Sequence, residues 1–275
     1  MKSEKTRGTM LTSSAVILCL ATFAAGFVSG SVVSEHRAAG GQQTAAVAPA
    51  PEPVVPSSQQ QAEHIQHLRE EAMRSPGNAA LWTNLGNACY DAGDADGAIE
   101  AYGRSLALEP GNADVRTDMG NMYRMKGEPE QAVACYDQAL RDHPGHRNAV
   151  FNKGVTMLLD LERPEEAVAF WRSVVEKQPD FTLSSGIELR QAMPGVVSDA
   201  ALQLEAHGRK EVALRAYEEA LKLDDSFAPA LVHRAWLLEG MGRADEAQSL
   251  WKRVVELYPD ATDPTGKPVR DRIKQ

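Results

Sequence analysis

The stretch LWTNLGNACYDAGDADGAIEAYGRSLALEP (Leu81–Pro110) is followed by VRTDMGNMYRMKGEPEQAVACYDQALRDHP (Val115–Pro144), which has equal length and the same punctuation. Both run through a small residue, a turn glycine, an alanine, a tyrosine and a closing proline. Aligning the chain on Ala98, Ala132, Ala167, Ala213 and Ala247 gives spacings of 34, 35, 46 and 34 residues. A period near 34 is the mark of stacked helical hairpins. Each hairpin alone cannot bury its apolar face, and stacking removes that problem.

Five units follow from this register. Unit 79–112 carries Trp82, Leu85, Gly86, Ala98, Tyr102 and Pro110, and unit 113–146 carries Met119, Gly120, Ala132, Tyr136, Ala139 and Pro144. Unit 147–181 has Gly154, Ala167, Trp171, Val174 and Pro179, with one extra residue in its turn. Unit 194–227 has Ala201, Gly208, Ala213, Tyr217 and Ala220, with Asp225 in place of the closing proline. Unit 228–261 has Ala235, Gly242, Ala247, Trp251 and Pro259. Over about 170 residues this resembles the tetratricopeptide repeat family. The resemblance implies an all-α, right-handed superhelical solenoid of about five helix–turn–helix repeats.

The pattern has physical causes. Gly86 and Ala98 are small where the helices of one hairpin cross. Gly93, Gly127, Gly208 and Gly242 stand where first helices end and a left-handed residue is needed. Tyr102, Tyr136, Trp171, Tyr217 and Trp251 are expected to fill the space between neighbours. Residues 60–75 read as an amphipathic capping helix. Residues 182–193 are an insertion, either a short helix or a loop across the groove, and residues 262–275 form a polar tail with little helix.

The N-terminal region is different in kind. No charged residue occurs from Gly8 to Ser34. That run matches the length a helix needs to cross a bilayer, so residues 10–34 are expected to be a transmembrane signal anchor. A cleaved signal peptide is the rival reading, because small residues follow the apolar centre. Lys2, Lys5 and Arg7 keep residues 1–9 cytoplasmic and put the rest outside. The expected location is a bacterial inner membrane, spanned once, with the repeats in the periplasm. Thr22, Gly26 and Gly30 share one helix face, a small-residue row through which two spans can associate. Residues 35–59, rich in Ala, Pro and Gln, read as a disordered linker.

Composition excludes several functions. After residue 59 the chain holds 25 basic and 35 acidic residues, which repels a phosphate backbone, so no nucleic-acid partner is expected. Cys19, Cys89 and Cys135 form no metal or disulfide pattern and read as small hydrophobes. His64 with His67, and His143 with His146, read as solvated polar residues. No GxSxG, P-loop or HExxH is present, so no enzyme activity, metal or cofactor is implied.

What remains is a binding surface. The family resemblance implies a concave groove lined by first helices. Here those carry Asn84, Asn87, Asn121, Arg124, Asn148 and Asn152. Asparagine both donates and accepts, so it suits the backbone of an extended peptide, while Arg124 suits a carboxylate. Phe151, Val155 and Trp236, with His233 nearby, are the expected apolar contacts. Family members that clamp a terminal carboxylate use basic residues where this chain has Thr83, Asn148 and Asn152, so a strict clamp is not expected. The expected partner is a membrane-bound or secreted protein or peptide client, taken up by an adaptor or assembly factor similar to those of cytochrome c maturation or secretin and pilus assembly. The alternative is a self-associating scaffold that forms homo-oligomers without a client.

Overall fold

The computed structural model describes residues 58–273. The proposed anchor at 10–34, its Thr22, Gly26 and Gly30 face, Cys19 and nearly all of the linker lie outside the described residues. Among the described residues there are eleven α-helices, no strand, and no helix long and apolar enough to cross a membrane. They are α1 (Ser58–Arg74), α2 (Ala79–Asp91), α3 (Ala95–Leu108), α4 (Ala113–Met125), α5 (Pro129–Asp142) and α6 (Arg147–Val155). Then come α7 (Pro164–Lys177), α8 (Leu189–Ala206), α9 (Lys210–Leu223), α10 (Ala228–Gly240) and α11 (Ala244–Leu257). A 3₁₀ turn, Val269–Arg272, follows.

Helices pair in chain order, α2 with α3, α4 with α5, α6 with α7, α8 with α9, and α10 with α11. Each second helix but the last also packs on the next hairpin, which makes the all-α repeat solenoid. Ile65 and Leu68 of α1 lie on the core of the first hairpin, beside Leu85, Cys89 and Tyr102. Four of the helices start where a side chain accepts one of their free N–H groups. Asn78, Asn112 and His146 cap α2, α4 and α6, and Asp94 caps α3. Gly93, Gly127, Gly208 and Gly242 all have φ between 73° and 79°, the left-handed region in which a first helix ends.

The hairpins close around one contact. The second-helix aromatics Tyr102, Tyr136, Trp171, Tyr217 and Trp251 are all buried, none more than 1% exposed. Each small residue beneath them leaves room for a ring. A Cβ at Gly120 would sit 2.6 Å from Cε1 of Tyr136, and Cβ atoms at Gly86 and Gly154 would come closer still to Tyr102 and Trp171. Units four and five have alanine, Ala201 and Ala235, at this crossing. The polar tip of each ring is satisfied too. Tyr102 donates to Asn87 at 2.9 Å, Tyr136 to Asn121 at 2.8 Å, Tyr217 to Glu205 at 3.2 Å and Trp251 to Glu239 at 3.0 Å. Trp171 donates to the carbonyl of Val150 at 3.1 Å.

The extra residue of the third unit is taken up inside its first helix. α6 continues as a π-helical turn, Thr156–Asp160, in which Leu161 N–H reaches back to the carbonyl of Thr156 at 3.0 Å. Glu162 then occupies the left-handed position that glycine holds elsewhere, with φ 56°. It is the non-glycine residue with positive φ among the described residues, and its side chain is held by Arg209.

The twelve-residue insertion divides in two. Residues 182–188 form a tight hairpin in which Leu183 N–H donates to Ile187 O and Leu189 N–H donates to Phe181 O, each at 2.8 Å. Residues 189–193 are the opening of α8, so Pro194 lies inside that helix. The polar tail repeats the same hairpin eighty residues later, with Asp263 N–H to Lys267 O at 2.8 Å and Val269 N–H to Ala261 O at 2.9 Å. Gly186 and Gly266 turn both hairpins at φ 81° and 83°. Leu189 and Val269 plug the same kind of slot, each no more than 1% exposed.

Two glycine substitutions separate ring contact from backbone freedom. Gly154→Ala is expected to lower the unfolding free energy by about 1–3 kcal/mol, because its Cβ meets the Trp171 ring. Gly103→Ala, in α3 with nothing within 4 Å, is expected to raise it by about 0.5–1 kcal/mol. Urea unfolding of the two variants checks both signs.

Candidate protein-binding face

The first helices α2, α4, α6, α8 and α10 supply one face, and side chains link it from unit to unit. Asn152 of α6 donates from Nδ2 to Oδ1 of Asn121 on α4 at 2.8 Å. His146, at the start of α6, pairs with Asp114 of α4 at 2.9 Å. The His233 ring of α10 stacks on Tyr217, centroids 6.2 Å apart.

The expected contact residues lie on the first helices, yet most are already engaged and one is buried. Asn87 accepts from Tyr102. Asn121 is only 9% exposed and its one Oδ1 accepts from both Tyr136 and Asn152. Asn148 accepts from Ser184 of the hairpin at 2.6 Å. Arg124 is ion-paired with Asp160 at the end of the π turn. Phe151 stacks on Trp171, centroids 6.4 Å apart. Val155 is closed into the core, 3% exposed, and presents no surface to a ligand. Asn84 is exposed. Thr83 is tied to Ser105, hydroxyl to hydroxyl, at 2.7 Å.

Trp236 has an occupant from its own chain. The Arg272 guanidinium lies over the Trp236 ring, 4.4 Å from the centroid, and its Nη1 donates to both Glu239 oxygens at 3.1 Å. Its Nε donates to Asp263 at 2.5 Å. Burial opposes ionisation of Asp263, but hydrogen bonds from Thr265, Arg272 and the backbone N–H groups of Lys267 and Thr265 outweigh it and hold the carboxyl well below the usual carboxylate range. The tail is thus a built part of the face. The matched segments PDFT (Pro179–Thr182) and PDAT (Pro259–Thr262), each with a glycine four residues on, were the sequence signal for it.

Two carboxyls on the same face stand out. Burial, then the charge of Asp114, pushes Asp118 up to about 6 against the opposing pull of His146. Burial alone pushes Asp199 up to about 6. Burial also lowers His233 from the ordinary histidine value. Exposed apolar side chains lie on the same helices as these acids, Met125 of α4 at 52% and Leu202 of α8 at 43%. At the α4–α6 end an open cleft of about 630 Å³ is lined by Asp114, His146, Asn148 and Ser184. Among the described residues no three potential ligands gather to hold a metal.

Tetratricopeptide repeat models match residues 63–113, 90–153 and 229–261. These matches support the tetratricopeptide repeat family. The repeat chain is similar in fold to the crystal structure of MamA protein, at 21% identity over 68% of this chain and 98% of that one, TM-score 0.43. It is similar to YrrB, described as a TPR protein with an unusual peptide-binding site, at 17% identity over 71% and 94%, TM-score 0.44. A third similar structure is Pseudomonas aeruginosa pilF, at 20% identity over 74% and 91%, TM-score 0.40. No curated protein sequence matches the chain.

The two raised carboxyls make stability depend on pH. In the unfolded chain an aspartate titrates near 3.9, whereas Asp118 and Asp199 hold their protons to about 6 in the fold. The stability they contribute is full below pH ~4 and is lost as pH rises through about 6. Asp118→Asn and Asp199→Asn are expected to raise the unfolding free energy at neutral pH by on the order of 1 kcal/mol each. The slope of stability against pH between those two values should flatten, as read by denaturant midpoints over the range.

Proposed function

We propose that this chain is a membrane-tethered adaptor or assembly factor of the bacterial envelope that holds an extended segment of a client protein on the face lined by its first helices. The observation that carries the reading is that face itself. It carries exposed polar and apolar side chains, Asn84, Met125 and Leu202, together with the partly enclosed acids, on a frame whose own polar groups are internally bonded. A frame so braced is preorganised, so a client segment does not have to order it. The tether is supported by sequence alone, the uncharged run from Gly8 to Ser34 behind Lys2, Lys5 and Arg7 and ahead of the Pro/Ala-rich linker. Tethering raises the effective concentration of the adaptor for membrane-bound clients, which suits cytochrome c maturation or the assembly of secretins and pili.

The test is crosslinking and recovery of the intact protein from native membranes, beside a variant carrying Asn84→Arg and Leu202→Arg. The expected outcome is a client crosslinked to the parent and reduced about tenfold in the variant, which should melt normally because both side chains are exposed. An unchanged set of partners removes the face from the mechanism. Recovery of the chain alone replaces the adaptor with a self-associating scaffold.

A further inference from the structure

We infer that the segment received by the first-helix face is basic, an extended stretch bearing lysine or arginine side chains seated on Asp118 and Asp199. This rests on the reading of that face as the client surface and concerns which chemistry of client it takes.

The repeat register places the two acids in one row. Counted from residues 79, 113, 147, 194 and 228, the sixth positions are Asn84, Asp118, Asn152, Asp199 and His233. Neighbouring groups on this face have partners inside the molecule. Asn152 is bonded to Asn121, His233 is stacked on Tyr217, and Arg124 of α4 is neutralised by Asp160 of the π turn. Among the described residues Asp118 and Asp199 have no hydrogen bond and no ion pair, although each is half enclosed. Asp118 faces Asp114 on its own helix, Tyr90 of α2, Tyr102 of α3 and His146, which caps α6. His146 is already shared between Asp114 and the N–H of Ala149. Asp199 faces Tyr217 of α9. An enclosed carboxylate without a partner costs stability, and an arriving cation with hydrogen-bond donors relieves that cost.

The face also shows what it can hold. In the fifth unit the ninth and twelfth positions, Trp236 and Glu239, grip the guanidinium of Arg272 by ring stacking and two 3.1 Å bonds. A cation is therefore bound on this face already, from within the chain. At the corresponding positions of the first unit, Asn87 and Tyr90, no such cation is held, and Tyr90 lies near Asp118. Exposed Met125 and Leu202 give the aliphatic stems of lysine or arginine something to lie on. The net charge of -9 steers a basic segment toward the protein.

The test is fluorescence anisotropy with the full chain in detergent micelles at neutral pH and moderate salt. The probes are labelled peptides of equal length and apolar content that carry Lys/Arg, Gln or Glu at the same positions. The basic peptide is expected to bind at least about tenfold more tightly than the Gln peptide. The double change Asp118→Asn with Asp199→Asn is expected to remove about tenfold of that affinity. Glu100→Gln with Glu176→Gln deletes the same charge from exposed second-helix sites and should leave affinity within about twofold. Affinity of the parent should also fall as pH drops below about 6 and the two acids take up protons. Equal loss in both double variants would reduce the effect to diffuse charge and overturn the proposal. If the Gln or Glu peptide binds as tightly and Leu202→Arg abolishes it, the charge preference is overturned while the client face stands. If no peptide binds, the charge preference falls, and a client still crosslinked to the face in membranes would keep the broader reading.

Discussion

The solenoid depends on one contact repeated five times, an aromatic ring from each second helix lying across a residue without bulk on the first. The ring buries its body completely, and its O–H or N–H reaches an acceptor on the helix it crosses, so a large side chain is sunk without stranding a polar atom. Both halves of that contact are needed. Without the small residue the helices cannot approach, and without the acceptor the ring would carry an unpaired donor into the core. The other features of each unit, the left-handed glycine and the cap, bring the two helices to that crossing.

The same contact explains why the asparagines of the first helices are structural first. Asn87 and Asn121 sit where the tyrosine tips end, and the structure uses their carbonyl oxygens there. Asn121 goes further and joins Asn152 to the ring of Tyr136, so one oxygen couples two neighbouring units. The polar appearance of this face is thus partly a framework of internal bonds. What is left over is two half-enclosed carboxyls and a few exposed apolar side chains, on which the proposed client contact rests. Such leftovers cost stability where they stand, and this fits groups kept for binding.

The hairpin that follows the third unit and the one that follows the fifth are a second device written twice. In both, an antiparallel bridge and a positive-φ glycine turn the chain so that a single aliphatic residue, Leu189 or Val269, seals the preceding helix pair. The inner copy continues directly into α8, and its Leu183 is apolar. The outer copy has Asp263 at that place and binds Arg272, which then covers Trp236. An ion pair stacked on an aromatic ring closes the outer copy where the inner copy has an aliphatic side chain.

The amino-acid sequence by itself determined the repeat period, the helix pairs, the left-handed turns and the large rings of the second helices. These are readable because each is local or recurs at a constant spacing, and stacked repeats turn local pattern into tertiary packing. The extra residue of the third unit was also visible, although its conversion into a π turn with Glu162 in the left-handed position was not. The candidate face was only half legible. The sequence pointed to the first helices, but whether an asparagine is free or taken depends on a tyrosine fifteen residues away, and whether an aspartate is enclosed depends on the next unit. Only the tertiary structure decides those matters, because they turn on distance between side chains of different helices, and no single helix carries that information.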